Sequence, residues 1–363
     1  MKQVVTFGEI LVRFEPPNYS RVRQAVPGNL HATFAGAEAN VGVALSLLGD
    51  SSAFVTALPD NSLTDACERE LRGCGVDTTH VLRQAEGRFG LFFLEKGAAQ
   101  RPGSVLYDRS HSAISLVQPD DYPWEDIFKE SDWLHISGIT PALSEAAYES
   151  TLAAVKFAAG RELTISCDLN YRSKLWRWNP GISPEELAGE CMSEILPYVD
   201  LLITNEHHLR DVFDIVITAE DPGVEMTNLE RSVASAEQMV NRYPNLDQIA
   251  MTIRQSGSAS ETGYGAVLYD PENTAAHPAP LKDGEFEPYR ITEIVDRVGA
   301  GDAFAAGLIF ALRSEDYQTP GDVIAFAAAS GCLAHSIPGD FNYVSRDEID
   351  SLTGGSNSGW VQR

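Results

Sequence analysis

Basic residues are scarce in this chain. Lys and Arg number 27 against 52 Asp and Glu, giving a formal net charge of −25 over 363 residues. Such a surface repels a phosphate backbone, which excludes sequence-independent nucleic-acid binding. An anionic small ligand would need local cations or a helix N-terminus. Cysteine is equally sparse: Cys67, Cys74, Cys167, Cys191 and Cys332 are odd in number and form no C-x-x-C pair. That spacing argues against a disulfide framework or zinc site and predicts reduced thiols in a cytoplasm. No histidines have metal-site spacing, so a tightly held transition metal is not expected. The longest apolar run, 303–312, is far short of the about 20 residues of a membrane span. Glu9 falls where a signal peptide needs its apolar core. The P-loop pattern G-x-x-x-x-G-K-[ST] is absent, and Gly307 comes too late after Gly299 and Gly301 for a G-x-G-x-x-G dinucleotide fingerprint.

Apolar residues at 44% and charged residues at 22% are ordinary globular values. The length suits two domains, or one large α/β domain with an appendage. The spacing predicts strands over 3–7, 52–57, 133–137, 163–167, 201–204, 249–253 and 265–269. Helices are predicted over 37–48, 61–74 and 144–159, the first followed by Gly49. Strands alternating with helices imply a mostly parallel sheet covered on both faces. Residues 10–34, broken by Pro16, Pro17, Pro27 and Gly28, read as short strands and turns. With strands near 89–94 and 105–107 they suggest a small separate sheet. Glu9, Asp168 and Asn205 follow strand ends, where open α/β sheets bind ligands.

The most informative segment runs from Ile294 to Phe304: an apolar strand, then Gly299-Ala300-Gly301-Asp302, then a helix. Consecutive backbone N–H groups at Gly299, Ala300 and Gly301 can point at one anion, and a helix starting near Asp302 adds its positive dipole end. Asp302 sits where a carboxylate can take a proton from an attacking hydroxyl. That combination suits phosphoryl transfer, with Asp302 as general base and the amides holding developing charge. An ordinary tight turn with an acidic cap satisfies the same local pattern.

Asp296 to Asp302 resembles the C-terminal signature of the ribokinase-like (PfkB) carbohydrate kinases. Ala35-Gly36-Ala37-Glu38-Ala39-Asn40 resembles that family's N-terminal Gly-Gly-x-x-x-Asn signature, with Ala35 in place of the first glycine. Thr204-Asn205-Glu206 resembles its Asn/Glu element near magnesium and phosphate. The resemblance implies a three-layer α/β/α sandwich with a β lid. Residues 1–9, 35–87 and 117–353 would form the main domain, 10–34 and 88–116 the lid, and 354–363 a flexible tail. It implies ATP with Mg2+, Asp302 as catalytic base, an anion hole at Gly299, Ala300 and Gly301, and Gly36 and Asn40 at the sugar. Asn170, Asn205, Arg254, Ser256, Gly257 and Asn342 would meet the nucleotide. Glu206 would reach magnesium through water, and Asp296 marks a site for a monovalent cation. Dimers or higher homo-oligomers built through the lid are implied as well.

Segments 90–95, 105–113, 168–172 and 337–342 resemble the 2-keto-3-deoxygluconate kinase branch. By that resemblance Tyr107 and Arg109 reach from the lid to the acid end of the substrate, and Arg172 approaches the substrate or the transferred phosphate. Arginine matches a carboxylate with two prongs, which a neutral sugar does not require. Phe92 stands where an aromatic hydroxyl is expected and cannot donate that hydrogen bond, leaving fructose or another neutral sugar as an alternative. Other readings stay open residue by residue. Arg109 suits a surface ion pair, Arg172 a solvated helix start, Tyr107 an ordinary strand position, Asn205-Glu206 a helix cap, Gly36 and Asn40 close packing and capping, and 254–257 a hairpin loop. A non-catalytic sugar or nucleotide sensor on this scaffold is the rival of a different class.

Overall fold

The computed structural model describes residues 2–218 and 225–355. The expected tail beyond Gly355 therefore lies outside the described residues. From one edge, the main sheet runs Val81–Gln84, Ser52–Pro59, Gln3–Phe7, Ser131–Ser137, Thr164–Asp168, Leu201–Thr204, Gln248–Ser256, Thr262–Asp270, Ala275–Ala279. Neighbours are parallel from the first edge through Gln248–Ser256, and antiparallel from there on. The strand Tyr289–Ile291 also pairs with Thr262–Asp270.

Both faces of the sheet are covered, as its continuous apolar strands require. All of Ser52–Pro59 and Leu201–Thr204 is buried. On one face, Val155, Ile165, Leu187, Ile195, Leu209 and Met239 pack together beneath the helices Glu145–Ala159, Pro184–Ile195, Glu206–Phe213 and Asn228–Arg242. On the other, Leu45, Phe304, Leu308, Phe326 and Ile349 come from the helices Ala37–Leu48, Ala300–Arg313, Pro320–Ala334 and Arg346–Thr353. This is the expected three-layer arrangement.

A second sheet of four strands, in the order His31–Ala35, Leu11–Glu15, Gly90–Glu95, Ser104–Asp108, stands apart. It is seated on the main body by Ile10, Val12, Phe54, Phe89 and Phe341. Its strands come from the two segments in which the sequence predicted a small sheet.

The helix of the signature begins at Ala300, with Gly299 at φ 86 as its N-cap and Asp302 in its first turn, near where it was expected. One local reading is corrected. The basic run 172–177 is turn and coil, not a helix start; Trp176 is buried there and anchors it in the core.

Candidate active site

A cavity of about 640 Å³ opens at the carboxyl ends of the parallel strands, between the two sheets. Four helices point their N-termini at it: Gly36 and Ala37, Gly299 and Gly301, Asn205 and Glu206, and Asn228 all line the wall. In a chain this acidic, these dipoles and unpaired amides supply positive potential where backbone alone can provide it.

Asp302 lies in the first turn of its helix and keeps a partly exposed edge on the cavity. Asn40 donates to its Oδ2 at 2.6 Å, while Asn40 Oδ1 accepts the Gly36 N–H at 3.1 Å. One amide thus ties together two helix starts that are remote in sequence. Gly36 is fixed by close approach: a Cβ there would come within 2.1 Å of the Glu9 carbonyl oxygen. At Gly299, φ of 86 and a Cβ position 2.4 Å from the Asp340 carbonyl oxygen leave no room for a side chain. Burial pushes the Asp302 carboxyl well above the usual carboxylate range. Asn40 opposes that shift, and the charges of Asp168, Asp340 and Glu38 reinforce it. A raised carboxyl holds a proton more readily, as a general base must.

The residues expected at the sugar line the cavity together: Gly36, Asn40, Phe92, Tyr107, Arg109 and Arg172. Phe92 and Tyr107 face each other with ring centroids 6.2 Å apart. Arg109 is not free. Its Nε donates to Glu9 Oε2 at 2.8 Å, a terminal nitrogen pairs with the same oxygen, and its guanidinium lies 5.5 Å from the Tyr107 ring centre. The ion-pair reading of Arg109 is realised, but inside the cavity wall and not on the surface. Arg172 is exposed, donates to the Tyr171 carbonyl at 2.9 Å and pairs with no carboxylate among the described residues.

On the nucleotide side, Asn170, Asn205 and Arg254 line the same cavity. Arg254 stacks 5.5 Å from the Tyr264 ring centre, with a terminal nitrogen 3.8 Å from where a Cβ on Gly301 would sit. Arg254 and Arg172 both act on Asp168, which burial pushes up to about 6 against their opposing charge. His208 is driven down to about 3 by burial and by the same two arginines, so it stays neutral. Asn205 caps its helix through the His208 N–H at 3.0 Å. Gly257 lies on a neighbouring cavity of about 530 Å³, and nothing is described of the Ser256 side chain. Asn342 departs from expectation: it is buried, donates to Ser330 Oγ at 3.3 Å and does not line the main cavity. Much of the stretch 327–336 is likewise taken up by packing between helices. His335 is buried against Tyr264, as a packing histidine.

Glu206 lines the cavity, but its carboxylate is held by Arg231 Nε at 3.0 Å. Among the described residues no group of three or more His, Cys, Asp or Glu side chains is arranged to hold a metal. So thin a donor set suits an ion that arrives on phosphates and keeps its waters. Asp296 is ion-paired with Arg13, and Glu38, Arg13 and Arg231 are residues around the site that sequence reasoning gave no role. One clue was legible: Arg13 lies between the apolar Leu11, Val12 and Phe14 in the strand Leu11–Glu15.

The fold is that of a kinase of small carbohydrates, and it brings the Asp302 carboxylate and the Gly299–Gly301 turn to the strand ends beneath a β sheet. A profile of the pfkB family carbohydrate kinases matches residues 1–342, and the chain belongs to that family. It is 40% identical to the crystal structure of 2-dehydro-3-deoxygluconokinase from Thermotoga maritima, with a TM-score of 0.86 and 98% of each chain covered. It is 31% identical to a 2-dehydro-3-deoxygalactonokinase from Haloferax volcanii, over 98% of both chains. A 2-dehydro-3-deoxygluconokinase from Bacillus subtilis is 27% identical over 96% of this chain and 94% of its own.

Proposed function

We propose that the protein transfers the γ-phosphate of ATP to the terminal hydroxyl of 2-keto-3-deoxygluconate or its galactonate epimer. The observation that carries this reading is the Asp302–Asn40 pair beside the Gly299–Gly301 amides, in a cavity also lined by Arg172 and Arg254, which make no ion pair among the described residues. The relatives that act on 2-keto-3-deoxy sugar acids support the substrate class.

In this reading, Asp302 takes the proton of the terminal hydroxyl as its oxygen bonds to the γ-phosphorus. The bond from that phosphorus to the bridging oxygen breaks, and ADP leaves. The Gly299, Ala300 and Gly301 amides hold the charge that develops on the transferred group. Magnesium, bound with the nucleotide, supplies charge neutralisation of the phosphates. Glu206 would face its water shell after release from Arg231. Arg254 approaches the phosphates and Arg172 the sugar acid or the phosphate in transit. The four-stranded sheet, residues 10–34 and 88–116, forms the lid over the rest of the chain. It excludes water that would otherwise hydrolyse ATP. Its open edge strand His31–Ala35 is largely exposed and is where a second copy would pair. Free thiols at all five cysteines suit a cytoplasmic setting.

ADP release with ATP–magnesium tests the reading, comparing 2-keto-3-deoxygluconate, 2-keto-3-deoxygalactonate, gluconate, fructose and ribose. Asp302→Asn should bind both substrates and lose most turnover, about 100-fold or more. Unchanged turnover in that variant would sink the assignment. A second reading, a neutral ketose, is favoured by one observation: Arg109 is engaged by Glu9. Preferential turnover of fructose would establish it and leave the role of Asp302 intact.

A further inference from the structure

Asp296, where the sequence pointed to a monovalent cation, does not fit that ion in this chain. Its carboxylate is already supplied with positive charge. Oδ2 pairs with Arg13 and lies 3.5 Å from Lys96 Nζ, while Oδ1 accepts the N–H groups of Arg297 at 2.8 Å and Val298 at 3.2 Å. The Arg13 side chain is fully buried, and its guanidinium also pairs with Asp340 and Glu15. Burial works against its charge, but Asp340 and Asp296 outweigh that and hold it ionised. Two cations, Arg13 and Lys96, thus meet three carboxylates, Glu15, Asp296 and Asp340. An alkali ion bound at Asp296 would have to share the carboxylate with a guanidinium of like charge.

We propose that Arg13 is a built-in cation that positions the Gly299–Gly301 amides, so that turnover requires no monovalent ion. The inference rests on the phosphoryl-transfer reading above. Arg13 grips the anion-hole turn from two sides. Asp296 leads into it, and its carboxylate fixes the next two backbone N–H groups. Asp340 closes it from behind, with its carbonyl packed on Gly299. Arg13 itself belongs to the second sheet, where it lies opposite Phe92 of the cavity wall. One side chain therefore fixes the sheet over the cavity to the turn beneath it. Arg13 touches no reacting atom and is a positioning residue.

The wild-type protein should show the same kcat, and the same melting temperature, in potassium, sodium and tetramethylammonium chloride at equal ionic strength. Arg13→Ala should lose about 100-fold in kcat, the scale of a displaced oxyanion donor, with a smaller change in KM. Guanidinium or potassium ions should restore part of that loss by filling the vacated space, and should raise the melting temperature of the variant alone. A wild-type kcat that collapses in tetramethylammonium would overturn the inference while leaving phosphoryl transfer standing. So would a folded Arg13→Ala protein with undiminished kcat, or one that no cation rescues. Should Arg13→Ala fail to fold, the wild-type ion series and Arg13→Lys, which retains the charge and should keep more turnover than any neutral variant, still decide. Absence of ADP formation by the wild type with every sugar would instead refute the parent reading.

Discussion

Glu38 offers a quantitative test of the site's electrostatics. It lies in the first turn of Ala37–Leu48 and is fully buried. Its Oε1 accepts from Ser137 Oγ at 2.7 Å and Thr140 Oγ1 at 3.0 Å, while its Oε2 has no partner. Burial pushes its pKa from 4.5 up to about 7; the Ser137 and Thr140 hydroxyls and the charge of Arg109 only partly oppose that. Between those pH values the folded protein keeps a proton that the unfolded chain releases. The stabilisation is therefore fully present below pH 4.5 and is lost as pH rises through about 7. At about 1.36 kcal/mol per pH unit, the interval corresponds to about 3 kcal/mol. Glu38→Gln resembles the protonated side chain in shape and charge. It should match wild-type stability near pH 4 and exceed it by about 3 kcal/mol near pH 8. For a chain of this length that corresponds to a rise of about 4 °C in Tm. Thermal and urea unfolding of both proteins across that range provides the assay. An equal stability difference at both pH values would show that Glu38 does not titrate in the folded protein and would refute the reasoning.

Asn40→Ala removes the donor that favours the charged form of Asp302. The acidic limb of kcat/KM should move to higher pH, and turnover should fall most on the acidic side; a pH–rate profile checks both. Arg109→Ala leaves the buried Glu9 carboxylate without its partner. It should cost about 3–5 kcal/mol in urea unfolding, most of it recovered in Arg109→Ala/Glu9→Gln. A stable single variant would mean that the pair is open in solution and Arg109 free for a ligand.

What the sequence made legible was local or periodic. The alternation of apolar strands and amphipathic helices marked the parallel sheet, and the Gly299–Asp302 spacing marked the turn before Ala300–Arg313. The family resemblance placed Asn40 and Asp302 in one site, but their hydrogen bond was not legible in the sequence. What stayed hidden were side-chain pairings between distant elements: Glu9 with Arg109, Glu206 with Arg231, Arg13 with Asp296 and Asp340. A charged residue's neighbours in sequence do not show which remote carboxylate it will meet. The hydrogen bond from the Asn342 amide to Ser330 stayed hidden for the same reason.

These pairings decide how an acidic protein accommodates anionic substrates. Arg13, Arg109 and Arg231 each face a carboxylate at 3.0 Å or closer, so their charge is largely spent within the fold. Arg172, Arg254 and Arg297 also line the cavity and make no ion pair among the described residues; the first two act instead on Asp168 and keep His208 neutral. Positive potential for ligands is therefore supplied by these guanidiniums and by helix N-termini. The helix ends are fixed by the backbone and cannot be neutralised by rotation of a side chain. The paired arginines set the shape of the site, and the unpaired ones are left to answer the charge that arrives. A substrate carrying a carboxylate at one end and receiving a phosphate at the other draws on both, which a neutral ketose would not.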